Sequence, residues 1–193
     1  MTLFGADVPS GFEYRDEFID SACEVELLEQ VNRIAFSTFE MRGVVARRRV
    51  SFYGTTYDLA DGTSPPIPKF LFPIRARFAE WAEVDPEAFG MALINEYSPG
   101  SPIGWHRDAP QYGITAGVSL LSSCRMRFRP YVAPQEALRS KVRRSTTHEI
   151  TLQPRSGYII DGEARHAYEH SIPEVKELRY SITFRTLRSG VSA

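Results

Sequence analysis

A chain of 193 residues, 42% hydrophobic and 24% charged, is long enough to bury a sizeable core and too short for two domains of ordinary size. A formal net charge of -1 creates no global field that would gather nucleic acid or a membrane surface. Cys23 and Cys124 are far apart and form no C-x-x-C pattern, which argues against a disulfide framework or a cysteine-ligated zinc site and for a reducing compartment.

The N-terminus shows no basic stretch followed by an apolar run, and nothing approaches a membrane span, so a cytoplasmic protein without a membrane partner is expected. Residues 21–34 place Val25, Leu27, Leu28, Val31 and Ile34 near helical spacing, with Asp20 or Ser21 as N-cap. Arg47, Arg48 and Arg49 form a local basic cluster, as do Lys141, Arg143 and Arg144; a solvated face is the ordinary source of such clusters. Residues 58–68 are rich in turn formers and read as an exposed loop. A second helix is expected near 69–82, with Pro73 starting or kinking it.

From Met91 onward the pattern is one of short strands. Cys124, Met126 and Phe128 alternate with Arg125, Arg127 and Arg129, and Asp161-Gly162 is a turn signal after the strand-like run 157–160. In residues 179–185, Tyr180, Ile182 and Phe184 lie on one face, and Arg179, Ser181, Thr183 and Arg185 on the other. Helices first and strands later predict an α+β fold: a jelly-roll (double-stranded β-helix) core over 91–187, preceded by N-terminal helices in 1–90, all in one domain.

In Gly104-Trp105-His106-Arg107-Asp108, an extended backbone points residues i and i+2 the same way, so His106 and Asp108 offer a nitrogen and a carboxylate to one point. A third imidazole would complete the two-histidine, one-carboxylate face used by non-haem Fe(II) oxygenases, which leaves the opposite positions open. H-x-D alone is a common accident; its weight comes from there being only four histidines, His106, His148, His166 and His170. Position favours His170 over His166 as the third ligand, while His148 reads as a surface residue. If the strand is regular, His166 shares the face of Tyr168 and His170. Arg179 and Arg185 would be costly inside a barrel without an anionic partner, and a dicarboxylate fits both. Asn95 and Tyr97, another i, i+2 pair, could complete its hydrogen bonds.

Together these residues resemble the AlkB family of iron and 2-oxoglutarate dioxygenases. The resemblance runs through Asn95-Glu96-Tyr97-Ser98-Pro99-Gly100, Trp105-His106-Arg107-Asp108, Tyr168-Glu169-His170-Ser171-Ile172 and the strand 179–185. More weakly, residues 48–54 are similar to the arginine-rich strand and aromatic-glycine turn that open the family's substrate lid. It implies Fe(II) on His106, Asp108 and His170, with 2-oxoglutarate and O2 as co-substrates. It also implies Arg179, helped by Tyr97, on the distal carboxylate, and Arg185 near Asp108 and the C1 carboxylate with Asn95 beside it. The implied substrate is an N-alkylated base of DNA or RNA, flipped from its stack. Arg49 is then a candidate substrate contact, and Tyr53 and Tyr57 are candidates for stacking on the base or for core packing. A monomer without an obligate protein partner is expected. Two departures stand out: Ala109 and Pro110 occupy places where many nucleic-acid-repairing members carry an acid, and Gly157-Tyr158 replaces the usual Gly-Asp. The rival readings are oxidation of a protein side chain or small molecule, favoured by Ala109 and Pro110, and a non-catalytic binding protein, disfavoured because every ligand position is filled.

Overall fold

A computed structural model describes residues 8–41, 44–55, 64–133 and 147–188. Eleven strands in these residues form two antiparallel sheets. The larger is ordered β1 (Phe12–Arg15), β9 (Gly157–Ile160), β6 (Tyr112–Leu120), β11 (Arg179–Leu187), β4 (Met91–Tyr97), β3 (Val44–Gly54) and β2 (Ser37–Met41). The smaller is ordered β5 (Ile103–His106), β10 (Tyr168–Ile172), β7 (Cys124–Pro130) and β8 (His148–Leu152). This is the expected double-stranded β-helix, with few helices. Strands from the first 55 residues are woven into the same sheet as those of the C-terminal half.

Strand alternation assigns the two faces of the large sheet. Ala92, Ile94, Ala116, Val118, Tyr180, Ile182 and Phe184 face outward and bury against two helices, α1 (Ser21–Val31) and α2 (Phe72–Trp81), whose Leu27, Val31, Ile74 and Phe78 complete that core. Phe18 stacks on Phe78 with ring centroids 4.3 Å apart. The other face looks into the barrel, where Phe12, Met126, Phe128, Tyr158, Ile160 and Ile172 fill one end. The polar set Arg179, Ser181, Thr183 and Arg185 faces the same interior, and Ser181, Thr183 and Arg185 line the cavity.

Local signals explain the helix ends. Asp20 caps α1 by accepting from the Cys23 amide at 2.8 Å. The helix stops at Val31, one turn short of the expected Ile34, because Asn32 and Arg33 close it with a turn. Pro73 starts α2 rather than kinking it: Lys69–Leu71 is a 3-10 turn, and the proline occupies the first helical turn, where its missing N–H costs nothing. Asp161-Gly162 does not make a hairpin turn; it opens a five-residue helix, α3 (Gly162–His166), before β10 begins. No helix among the described residues is long and apolar enough to cross a membrane.

Candidate active site

His106 ends β5 and His170 lies in β10, and the two are direct cross-strand partners, with ring centroids 4.3 Å apart. Asp108 follows two residues after His106. The donor atoms of His106, Asp108 and His170 all lie within 4.8 Å of one another. Two nitrogens and one carboxylate oxygen on one side of a point suit Fe(II) with open positions opposite.

Neighbours orient two of the three candidate ligands. The Nδ1 of His106 is 2.9 Å from the Gly104 carbonyl oxygen. A carbonyl can only accept, so Nδ1 carries the proton and Nε2 is left with its lone pair. The Asp108 carboxylate accepts from Arg185 twice, Nε to Oδ2 at 3.1 Å and Nη2 to Oδ1 at 3.2 Å, and from the Thr115 hydroxyl at 2.6 Å. Burial would raise the pKa of Asp108, but Arg185 and the two imidazoles more than offset it, holding the carboxyl well below its ordinary range. Burial and the adjacent His106 lower His170 to about 3, and burial lowers His106 as well. At neutral pH the trio therefore presents two neutral imidazoles and one carboxylate, the protonation states a metal requires.

The two arginines of β11 differ. Arg185 is engaged with Asp108, and its Nη1 meets the Thr183 hydroxyl at 3.3 Å. It positions the aspartate, beside which the resemblance placed it, and does not stand open as the free partner that the strand pattern suggested. Arg179 is fully buried; its Nε donates to the Ser119 hydroxyl at 3.2 Å, while both Nη atoms are buried without a hydrogen-bond partner among the described residues. The Tyr97 ring lies 5.1 Å from its guanidinium carbon. A buried cation with two orphaned forks fits a carboxylate, so the donor set suits 2-oxoglutarate on geometry as well as charge. Asn95 accepts from Arg48 Nε at 3.2 Å, with its amide nitrogen 3.5 Å from Ser181. It lies in the cavity wall but is tied to Arg48 rather than to Arg185.

Of the lid candidates, Arg49 is turned away from the cavity and Tyr53 takes its core-packing alternative. In β3, Arg49 pairs with Glu96 at 2.8 and 2.9 Å, and Tyr53 is packed in the helix-facing core. Both lie on the face away from the cavity. Strand alternation turns Arg48 and Phe52 to it instead, with Phe39 of β2 beneath the Arg48 guanidinium at 4.8 Å. Tyr57, like Lys141, Arg143 and Arg144, lies outside the described residues. His166 ends α3, so it does not share the strand face of His170; its carbonyl accepts from Arg107 at 3.2 Å. His148 starts β8 and meets Tyr168 edge-on.

Sequence reasoning missed three supporting residues. Thr115 and Ser119, one on Asp108 and one on Arg179, alternate with Gly117 in an otherwise apolar strand. Small polar residues at every second position were the signal. Arg165, 5% exposed, donates to the carbonyls of Ala109, Tyr112 and Gly113 at 2.7–3.0 Å and so holds the loop that follows Asp108. No pattern announced it.

The family described as the 2OG-Fe(II) oxygenase superfamily matches residues 25–185. An uncharacterized protein, L905 of Acanthamoeba polyphaga mimivirus, is 28% identical over 199 residues, covering 92% of this chain and 85% of that one. The Alkylated DNA repair protein ALKBH8 homolog of Arabidopsis thaliana is 29% identical over 152 residues, covering 68% of this chain and 43% of that protein. Among solved structures, OsALKBH1 matches with a TM-score of 0.66 at 14% identity, covering 93% of this chain and 99% of that one. A Pseudomonas putida prolyl-4-hydroxylase matches at 0.63 and 12%, covering 93% and 94%. The chain belongs to the 2OG-Fe(II) oxygenase superfamily and is an AlkB-like, Fe(II)- and 2-oxoglutarate-dependent dioxygenase.

Proposed function

We propose that the enzyme removes N-alkyl groups oxidatively from nucleobases in DNA or RNA. The observation that carries this reading is the cavity above the ligand trio. Its volume is about 1300 Å³, above the range of about 300–1,000 Å³ usual for small-molecule sites. Arg47, Arg48, Arg107 and Arg188 line it together with Phe39, Phe52 and Tyr131. Cations for phosphates and rings for a base are what an extruded nucleotide needs. The similarity to an alkylated DNA repair protein homolog supports the same reading.

His106, Asp108 and His170 would hold Fe(II), and Arg179 would take the distal carboxylate of 2-oxoglutarate. Iron with 2-oxoglutarate and O2 supplies a C–H oxidant, with succinate and CO2 as co-products. Hydroxylation of an N-methyl carbon gives a hemiaminal, which releases formaldehyde and the bare N–H. The protein binds, orients and excludes water: Arg185 and Thr115 fix the aspartate, and the buried arginine sets the direction of the diacid.

A second reading, oxidation of a protein side chain or small molecule, is favoured by Ala109 and Pro110. Both line the cavity where an acidic base-reading residue was expected. Incubation with Fe(II), 2-oxoglutarate and either N-methylated oligonucleotides or methylated peptides separates the two. Formaldehyde matching succinate on the oligonucleotides is the expected result. Formaldehyde from peptides alone, or succinate without formaldehyde on any oligonucleotide, would sink the first reading.

A further inference from the structure

The charges around the cavity do not balance, and the imbalance bears on which nucleobase can enter it. Asp108, Glu169 and Glu174 line the cavity, and each already pairs with an arginine: Arg185, Arg129 and Arg47 in turn. Ala109 and Pro110 add no carboxylate. Arg48, Arg107, Arg165 and Arg188 also line it and have no ion pair among the described residues. Their hydrogen bonds go to neutral oxygens instead: the side-chain carbonyl of Asn95 for Arg48, and backbone carbonyls for the other three. Fe(II) and the 2-oxoglutarate dianion cancel one another and leave this excess in place.

Arg107 and Arg188 are exposed at the rim, where phosphates can offset them. Arg48 is held further in. It is half-buried, with its Nε 3.2 Å from the oxygen of Asn95, itself only 4% exposed. Burial lowers its pKa, Tyr97 opposes that fall and Arg185 adds to it. The aromatic rings repeat the message. A ring face can hold a cationic base, but Phe39 and Tyr131 already carry guanidiniums, at 4.8 and 3.5 Å. Arginine also donates hydrogen bonds and never accepts them. The cavity wall therefore repels positive charge and offers donors to a base edge that accepts.

We propose that the cavity selects an uncharged base whose alkylated nitrogen lies between two carbonyls, such as 3-methylthymine, and rejects cationic 1-methyladenine and 3-methylcytosine, with Arg48 as the discriminating residue. Methylation at N1 of adenine or N3 of cytosine leaves a positive charge on the base at neutral pH. Methylation at N3 of thymine replaces a proton and leaves the base neutral, with both carbonyl oxygens free to accept. The reaction turns its N–CH3 into N–H, while 2-oxoglutarate and O2 become succinate and CO2 and the methyl carbon leaves as formaldehyde. This inference deepens the nucleobase reading above and rests on it.

The test measures kcat/KM for formaldehyde release from single-stranded oligonucleotides that differ only in the modified base: 3-methylthymine, 1-methyladenine or 3-methylcytosine. The full chain is supplied with Fe(II) and saturating 2-oxoglutarate. Turnover of 3-methylthymine should exceed that of either cation by roughly tenfold or more, because like charges brought together are penalised. Arg48→Met keeps the length and removes the charge, and should shrink that ratio to about threefold or less. Arg48→Lys keeps the charge and should preserve the ratio, which separates charge from shape. A wild-type ratio near one, or one that favours the cations, overturns the proposal, and this ranking decides even where a variant fails to fold. A ratio that survives in Arg48→Met, or is lost equally in Arg48→Lys, overturns the assignment to the Arg48 charge. Turnover of oligonucleotides in the wrong order sinks this inference alone. Turnover of methylated peptides with none on any oligonucleotide sinks the nucleobase reading and this inference together.

Discussion

Arg179 and Arg185 carry the same side chain on the same strand face, and their neighbours give them different work. Arg185 meets a carboxylate and a hydroxyl; Arg179 meets one hydroxyl and an aromatic ring, with both Nη atoms unpaired. The alternation of β11 showed that both face one interior, but which one is already paired depends on where the Asp108 loop arrives, and no local pattern carries that. The choice between His170 and His166 rested on position and is now geometric, since α3 takes His166 out of the strand. His170→Ala should abolish 2-oxoglutarate turnover and His166→Ala should keep at least half of it, measured as succinate release; the reverse ranking would require a different third ligand. In the metal-free protein His170 and Asp108 both have lowered folded-state pKa values. Their contribution is present above the unfolded values and lost as pH falls, for His170 from about 6.5 to about 3 and for Asp108 below about 3.8. Each pH unit below 6.5 should remove about 1.4 kcal/mol through His170 alone. Denaturant unfolding of the metal-free chain between pH 7.5 and 5 measures this, and a flat profile would contradict it.

The elements most legible in the sequence were those whose periodicity both faces share. Strand β11 alternates because one side packs on helices and the other lines the barrel, and α1 showed its apolar stripe and its cap. Strand β3 was legible as a strand but not in its facing: three consecutive arginines say nothing about which of them points inward. The short helix α3 was hidden because Asp-Gly signals a hairpin turn as strongly as a helix start. That helix matters through Arg165, whose guanidinium joins three carbonyls of the 109–113 segment. Arg165→Met should remove these three hydrogen bonds, the one to Tyr112 buried, and cost about 3 kcal/mol in denaturant unfolding. Because the segment begins beside Asp108, Mn(II) affinity should also fall by roughly tenfold or more. A stability loss with unchanged metal affinity would leave Arg165 a purely structural clamp.

At the scale of the whole molecule a net charge of -1 hides an uneven surface. The counts of Lys+Arg and Asp+Glu nearly cancel over the chain, yet exposed Arg47, Arg107 and Arg188 all border one cavity. Among the described residues their partners are local: Glu174 at 3.4 Å and the Gly100 carbonyl at 3.1 Å for Arg47, the His166 carbonyl and the Tyr131 ring for Arg107, and the Pro110 carbonyl at 3.5 Å for Arg188. Composition could not reveal this, because the three are remote in sequence and only the jelly roll gathers them. Exposed ion pairs of this kind are worth little, so these groups are available to phosphates at small cost. If a single strand crosses that rim, each phosphate neutralised releases condensed counterions and steepens the salt dependence of binding by about 0.7 per contact. Replacing all three arginines by alanine should therefore flatten the slope of log K against log salt by about 2 for a single-stranded oligonucleotide between 50 and 200 mM salt. Weaker binding with the slope unchanged would mean that the phosphates lie elsewhere, and the base would then have to enter the cavity by a path that these arginines do not border.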